Sequence, residues 1–72
     1  MTNMLRMVKR HMPKTYTYAL KNGWTLEVRP GGHIAWRKDG RQFVISAVTP
    51  SDRRGDMNAF SRLRREDRRA EA

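Results

Sequence analysis

Two glycines followed by a histidine, Gly31-Gly32-His33, form the local pattern in this sequence that favours a catalytic interpretation. Two glycines allow the backbone to approach a phosphate closely, and the imidazole of a histidine titrates near neutral pH. Such an imidazole can accept the proton of a ribose 2′-hydroxyl while that oxygen attacks the adjacent phosphate, and this cleavage needs no metal ion. His33 is therefore the candidate catalytic residue, and Gly32 is a candidate contact for the phosphate.

Cleavage of this kind also needs a cation beside the charge that develops on phosphorus. Arg29 and Arg37 alternate in phase with His33, so both are predicted to lie on its face of a sheet and are candidate nucleic-acid-binding residues. Spacing alone favours a simpler alternative, in which the two glycines form a hairpin turn and the histidine is a surface residue at a strand end. His11 has no base, nucleophile or metal ligand beside it and is predicted to be a surface residue.

The charge of the chain indicates a polyanionic partner. Sixteen Lys and Arg against seven Asp and Glu give a formal net charge of +9, which is typical of nucleic-acid-binding domains. RNA is favoured over DNA as this partner. A membrane surface is disfavoured, because the cations are mostly Arg and have no aromatic-rich amphipathic helix beside them. The remaining alternative is a charge excess that only keeps a small protein soluble.

Composition also limits cofactors and location. The sequence contains no cysteine and two histidines, which excludes disulfides and makes a structural zinc site untenable, so we expect neither a metal nor a cofactor. The longest apolar runs, such as Phe43-Val44-Ile45, are far too short to cross a bilayer, and the N-terminus lacks a secretory pattern. The sequence therefore predicts a cytoplasmic protein with no membrane association.

Hydrophobic periodicity predicts a single α+β domain in the order helix, strand, strand, strand, helix. Its elements are a helix at 14–22 capped by Thr15 and closed by Gly23, strands at 24–29, 33–37 and 42–48, and a helix that follows Thr49-Pro50-Ser51-Asp52 and ends near Arg68. The strands form a three-stranded antiparallel sheet with the helices on one face. Residues 1–13 form a basic, loosely packed appendage that can be an extra helix, residues 14–69 the domain, and residues 70–72 a frayed tail.

The last predicted helix carries the main binding candidates. Its apolar side is predicted at Met57, Phe60, Leu63 and Arg64, and the opposite arc carries Arg54, Asn58, Arg62, Arg65 and Arg69. Guanidinium groups match phosphate oxygens, so these four arginines are candidate nucleic-acid-binding residues, with a solvated charged face as the alternative. Glu66 and Asp67 are expected to neutralise part of this arginine row. Trp24 and Trp36 occupy the apolar phase of their strands and are predicted to be core residues rather than base-stacking platforms.

Several short motifs recur in an order and spacing known from one protein family. They are Lys21-Asn22-Gly23-Trp24 at the end of the first predicted helix, Gly32-His33 at the start of the second strand, Asp39-Gly40 in the hairpin, and Thr49-Pro50-Ser51-Asp52 ahead of a helix with Asn58 and Leu63-Arg64-Arg65. From about Lys14 to Arg65, the sequence resembles the HicA toxin family, and in particular small HicA-like proteins encoded by phages.

The resemblance implies a fold similar to a double-stranded RNA-binding domain and a hydrolase activity, that of an endoribonuclease that cleaves messenger RNA without a metal. It implies that a histidine at the position of His33 is essential and that Gly32 lets backbone and phosphate approach each other. It also implies a toxin–antitoxin pair with a HicB-like antitoxin as the partner. Location in the host cytoplasm follows if a phage encodes the protein. The protein itself is expected to be a monomer or a homodimer.

Two alternative functions stay open. Many HicA proteins carry a second histidine or another polar residue directly after the catalytic one, where this sequence has Ile34 and Ala35. A non-catalytic nucleic-acid-binding module of the same fold is therefore one alternative. A phage protein that docks on an acidic host factor is the other.

Overall fold

The fold is the predicted α+β class, a three-stranded antiparallel sheet combined with helices. A computed structural model describes residues 4–48 and 54–71 of the chain. The elements are α1 (Met4–His11), α2 (Pro13–Asn22), β1 (Thr25–Arg29), β2 (His33–Arg37), β3 (Val44–Ala47) and α3 (Arg54–Glu71). The strand order is β1-β2-β3, so β2 is central and β3 is an edge. The predicted capping segment Thr49-Pro50-Ser51-Asp52 lies outside the described residues.

The helices α1 and α2 are separated by Met12, whose backbone angles (φ −131°, ψ 54°) are not helical. Pro13 explains this break, because proline disfavours helical geometry in the preceding residue and fits the first position of a helix. The sequence alone suggests that the N-terminal segment packs loosely, but Val8 and Met12 are 0% and 2% exposed and belong to the core. Helix α1 is thus part of the domain rather than an appendage to it.

The end of α2 and the hairpin turns follow the predicted turn chemistry. Gly23 closes α2 with a left-handed backbone (φ 79°), and the N–H of Trp24 donates to the carbonyl of Ala19 (2.9 Å). Because this amide completes the helix, β1 begins one residue later than predicted. The third strand also begins late, at Val44 instead of residue 42, since the N–H of Gln42 donates to a carboxylate oxygen of Glu66 in α3 (3.2 Å).

The core lies between one face of the sheet and the three helices. Trp36, Ile34 and Val44 from the sheet pack with side chains from every helix. The buried helix residues of this cluster are Val8, Met12, Ala19, Ala59 and Leu63. The prediction that both tryptophans are core residues is confirmed, because Trp24 is 4% and Trp36 0% exposed.

The strands alternate as predicted, but burial does not follow the alternation at two positions. Ala35 alternates in phase with His33 and Arg37 and so belongs to the outer face, yet it is fully buried. It lies in the central strand between Glu27 and Ile45 of the two neighbouring strands, both of which carry larger side chains. Val28 pairs with the core residue Ile34, yet it is 46% exposed, because it lies near the end of the edge strand β1.

Asp56, in the first turn of α3, caps the N-terminus of α2. Its carboxylate accepts hydrogen bonds from the backbone N–H groups of Lys14 (3.1 Å) and Thr15 (2.9 Å). The hydroxyl of Thr15 donates to the same carboxylate (2.6 Å). The predicted role of Thr15 as the N-cap is therefore wrong: Thr15 lies inside the helix, fully buried, and the first amides of α2 are satisfied by a carboxylate 41 residues away in sequence.

Asp67 in the last third of α3 is a second buried carboxylate and joins four segments of the chain. It accepts hydrogen bonds from Tyr18 Oη (2.5 Å), Trp24 Nε1 (3.1 Å), Lys38 Nζ (3.0 Å) and Arg41 Nε (2.9 Å). The expectation that Asp67 neutralises the arginines of its own helix is wrong, because its carboxylate faces the core and the β2–β3 turn. Glu66 does pair with Arg69 (3.0 Å).

The hydrogen bonds of Asp67 shift the pKa values of both Asp67 and Tyr18. Burial by itself would raise the pKa of the Asp67 carboxyl, but the four hydrogen bonds that it accepts outweigh burial and hold this pKa well below its usual range. Burial, together with the hydrogen bond to Asp67, raises the pKa of Tyr18 to about 12. Asp67 is thus charged and Tyr18 neutral at physiological pH.

The two aspartates also correct the predicted orientation of α3. Its buried residues are Asp56, Ala59, Leu63 and Asp67, which share one helix face. Met57 is 45% exposed and Arg64 is exposed, although both are predicted on the apolar side. The apolar pattern predicts a different face because two of the four buried positions, Asp56 and Asp67, are carboxylates. Among the described residues, no helix has the length and apolar character needed to cross a membrane.

We predict that Asp67→Asn lowers the free energy of unfolding by about 3 kcal/mol, since it removes the charge that two cations and two neutral donors share. The folded-state pKa of Asp67 lies below the unfolded value of about 4, so the unfolded chain binds the proton first and stability should fall as the pH drops below about 4. Urea unfolding across this pH range measures both effects. Asp39→Asn, at an exposed carboxylate in the neighbouring turn, is the control and should change stability by less than about 0.5 kcal/mol. Equal effects of both substitutions would refute the role of Asp67.

We also predict that Asp56 and Thr15 act as one unit. Asp56→Ala should cost about 1–2 kcal/mol because it leaves buried donors of α2 without an acceptor. Thr15→Val should cost less in the Asp56→Ala background than in the parent, because the hydroxyl then has only the backbone carbonyl of residue 56 (2.8 Å) as its acceptor. A double-mutant cycle by urea unfolding gives the coupling energy, and strictly additive effects would contradict this cap.

Candidate nucleic-acid interface

His33 opens β2 at the end of a three-residue turn. Residues 30–32 connect β1 to β2, and both Gly31 (φ 82°) and Gly32 (φ 76°) have left-handed backbones that L side chains rarely adopt. A Cβ at Gly31 would also lie 3.4 Å from His33 Nδ1. The two glycines therefore form the tight turn that the sequence predicts, and the requirement for glycine comes from their positive φ angles, since a Cβ at Gly31 would meet the imidazole only at van der Waals distance.

The imidazole of His33 is exposed and oriented by the turn. Its Nδ1 lies 3.3 Å from the carbonyl oxygen of Pro30. Since a carbonyl oxygen only accepts hydrogen bonds, this contact selects the tautomer with the proton on Nδ1. The unprotonated nitrogen is then Nε2, which is the arrangement that a general base requires.

Arg29 is the cation placed closest to this histidine by the sheet register. It pairs directly with His33 across β1 and β2, so both side chains lie on the sheet face opposite the core. The Nε atom of Arg29 is buried and has no hydrogen-bond partner among the described residues. A buried guanidinium donor without an acceptor is costly.

Arg37 occupies the same face but lies away from His33, at the other end of β2. At about 3.3 Å per residue, the two positions are roughly 13 Å apart. Arg37 pairs with Glu27 (3.2 Å), and its guanidinium lies 5.7 Å from the ring centroid of Phe43. The structure therefore separates the two arginines that the sequence assigns to one phosphate: Arg29 is beside His33, and Arg37 belongs to a different part of the surface.

The candidate arginines of α3 are all exposed, but they differ in their contacts. Arg62 Nη1 donates to the carbonyl of Ile45 (3.1 Å), and Arg69 pairs with Glu66. Arg65 makes no ion pair with any residue that the structure describes. Arg54 is the first residue of α3 and has further contacts within the chain.

His33 and the candidate arginines of α3 lie in a row along the edge strand β3, and this surface is termed the β3 row. At one end of the strand, Ala47 pairs with His33. Ile45 accepts the hydrogen bond from Arg62, and before the start of the strand the N–H of Gln42 donates to Glu66. Helix α3 thus runs antiparallel to β3, which places its first residues toward the His33 end. Arg69, at its other end, lines a small cleft with Gly40 of the β2–β3 turn.

Phe43 is the residue of this row that the sequence interpretation missed. It is 55% exposed although it belongs to the apolar run Phe43-Val44-Ile45, and it borders two clefts. One cleft contains Arg37 and the other contains Arg62 and Arg65. Strand alternation was the available indication, because Val44 in the core phase requires Phe43 to point outward.

Within residues 4–48 and 54–71, no three His, Asp or Glu side chains are grouped in a way that would hold a metal ion. Comparison of the chain with protein-family models, with curated proteins and with solved structures found no match. The resemblance to HicA toxins therefore stays a prediction from sequence motifs, and the surface formed by His33, Arg29 and the β3 row is the basis for the functional proposal.

Proposed function

We propose that this protein binds RNA and cleaves it as a metal-independent endoribonuclease of the HicA type, with His33 as the general base. The observation that carries the proposal is the geometry of His33: an exposed imidazole whose Nδ1 contacts a backbone carbonyl, with Arg29 directly across the strand pair. The net charge of +9 supports a polyanionic partner. On the basis of the same resemblance, we propose a HicB-like antitoxin as a partner.

In the proposed reaction, Nε2 of His33 accepts the proton of a ribose 2′-hydroxyl. The 2′-oxygen forms a bond to the adjacent phosphorus, the bond from phosphorus to the 5′-oxygen breaks, and the products are a 2′,3′-cyclic phosphate and a 5′-hydroxyl. The leaving oxygen takes a proton from the imidazolium or from water. Arg29 stabilises the negative charge on the phosphoryl oxygens in the transition state.

A second candidate is RNA binding without cleavage. It is favoured by the partner of His33, since the imidazole contacts a backbone carbonyl and no carboxylate among the described residues. A carboxylate in that position would stabilise the imidazolium that forms during general-base catalysis, whereas a neutral carbonyl does so less. This candidate uses the same arginine row and the same edge strand.

We predict that the parent protein cleaves a labelled structured messenger RNA in EDTA and that His33→Ala lowers the rate at least 100-fold, because the general base is removed. His11→Ala is the matched control and should cleave at the parent rate. Circular dichroism checks that each variant is folded. A fully active His33→Ala variant would refute the mechanism, and intact RNA bound equally by all three proteins would favour the second candidate.

We predict that RNA affinity falls steeply with salt and that Arg65→Glu flattens this dependence, because the substitution removes about one phosphate contact and so about one unit of the log–log slope. Arg68→Glu makes the same charge change on the same helix, outside the β3 row, and should alter the slope less. Fluorescence anisotropy with a labelled RNA measures both slopes. Equal slopes for the two variants would show that only net charge matters.

If the purified protein carries no nucleic acid, shown by no excess absorbance at 260 nm, and binds neither RNA nor DNA, both candidates fail. A protein-interaction module that docks on an acidic host factor is then the function to test.

A further inference from the structure

Phe43 lies at the junction of an electrically balanced cleft and a positively charged cleft. On one side, a cleft of about 740 Å³ is lined by Arg37, Lys38 and Arg41 together with Asp39. Its cations are already paired, because Arg37 contacts Glu27 and the other two contact Asp67. This side is therefore electrically balanced and suits an uncharged planar group better than a phosphate.

On the other side of Phe43, a smaller cleft of about 180 Å³ is lined by Arg62, Arg65 and Glu66. Glu66 also pairs with Arg69, so its single carboxylate does not balance the charge of the two guanidinium groups in this cleft. Arg62 is held across the edge of β3 by its hydrogen bond to the carbonyl of Ile45, which fixes one cation beside the aromatic ring. This side suits a phosphate.

The ring of Phe43 is presented on the same sheet face as His33. The pairing of His33 with Ala47 and Ala35 with Ile45 continues to a match of Arg37 with Phe43, in agreement with the cation–π contact between these two side chains. Along the strand, Phe43 lies roughly 13 Å from the position beside His33. A chain that passes His33 therefore reaches Phe43 at a different nucleotide from the one that is cleaved.

We propose that Phe43 is a stacking platform for an unpaired base of single-stranded RNA. The base stacks on the Phe43 ring in the balanced cleft, next to the Arg37 guanidinium that lies 5.7 Å from the ring centroid, and the phosphate of the same nucleotide contacts Arg62 and Arg65. An aromatic ring binds any base through its face, and an arginine beside it adds a planar cation, as is usual in single-strand binding. This inference rests on the proposed function and names its substrate class, an RNA with an unpaired segment downstream or upstream of the cleaved bond.

The experiment compares a short single-stranded 2′-O-methyl RNA, which lacks the attacking hydroxyl and cannot be cleaved, with the same strand made abasic at successive positions. The parent should bind the intact strand roughly ten-fold more tightly than the strand that is abasic at the stacked position. Phe43→Leu should lose this preference, and Phe43→Trp should keep it. Leu20→Ala, at another exposed apolar side chain, is the matched control and should behave as the parent.

A spectroscopic readout separates stacking from a general loss of affinity. Both natural tryptophans are buried, so the indole of Phe43→Trp would be the exposed one, and its emission should be quenched as RNA is added. If Phe43→Leu keeps the abasic preference, or the new indole is not quenched while RNA binds, the stacking platform is refuted and the proposed function stands. If the parent binds no RNA, both the platform and the proposed function are refuted.

Discussion

The carboxylate of Asp67 is the interaction on which the arrangement of this small domain depends. It joins α2 through Tyr18, the start of β1 through Trp24, and the β2–β3 turn through Lys38 and Arg41. A charge that is 9% exposed is stable only when several donors replace the lost water, and here four do so. In a chain of 72 residues with no disulfide to join its elements, this ionic centre fixes the helices against the sheet.

The candidate interface follows from that arrangement. Because Asp67 and Asp56 turn one face of α3 inward, the helix lies along β3 with Arg62 and Arg65 beside the strand. Asp67 also pairs with the cations of the β2–β3 turn, which leaves the cleft near Phe43 electrically balanced. One buried carboxylate thus determines where the surface is positive and where it is neutral.

Much of the fold was predictable from local patterns. Gly23, the pair Gly31-Gly32 and the Asp-Gly turn impose backbone conformations that few residues tolerate, so the ends of α2 and β2 are encoded by the residues themselves. The burial of Trp24 and Trp36 was predictable because both occupy the apolar phase of their predicted strands. Element boundaries that depend on partners elsewhere, such as the late start of β3 at Val44, were not.

The sequence by itself determined the order of helices and strands, the positions of the turns, the place of His33 after two glycines, and the excess of positive charge. The tertiary structure decided which acids are buried, which of the arginines faces His33, and that Phe43 lies between two clefts. The physical reason is range: turn preferences and strand alternation act between neighbouring residues, whereas burial and hydrogen-bond partners come from segments tens of residues apart. An aspartate that caps another helix or gathers four donors has no local pattern to reveal it.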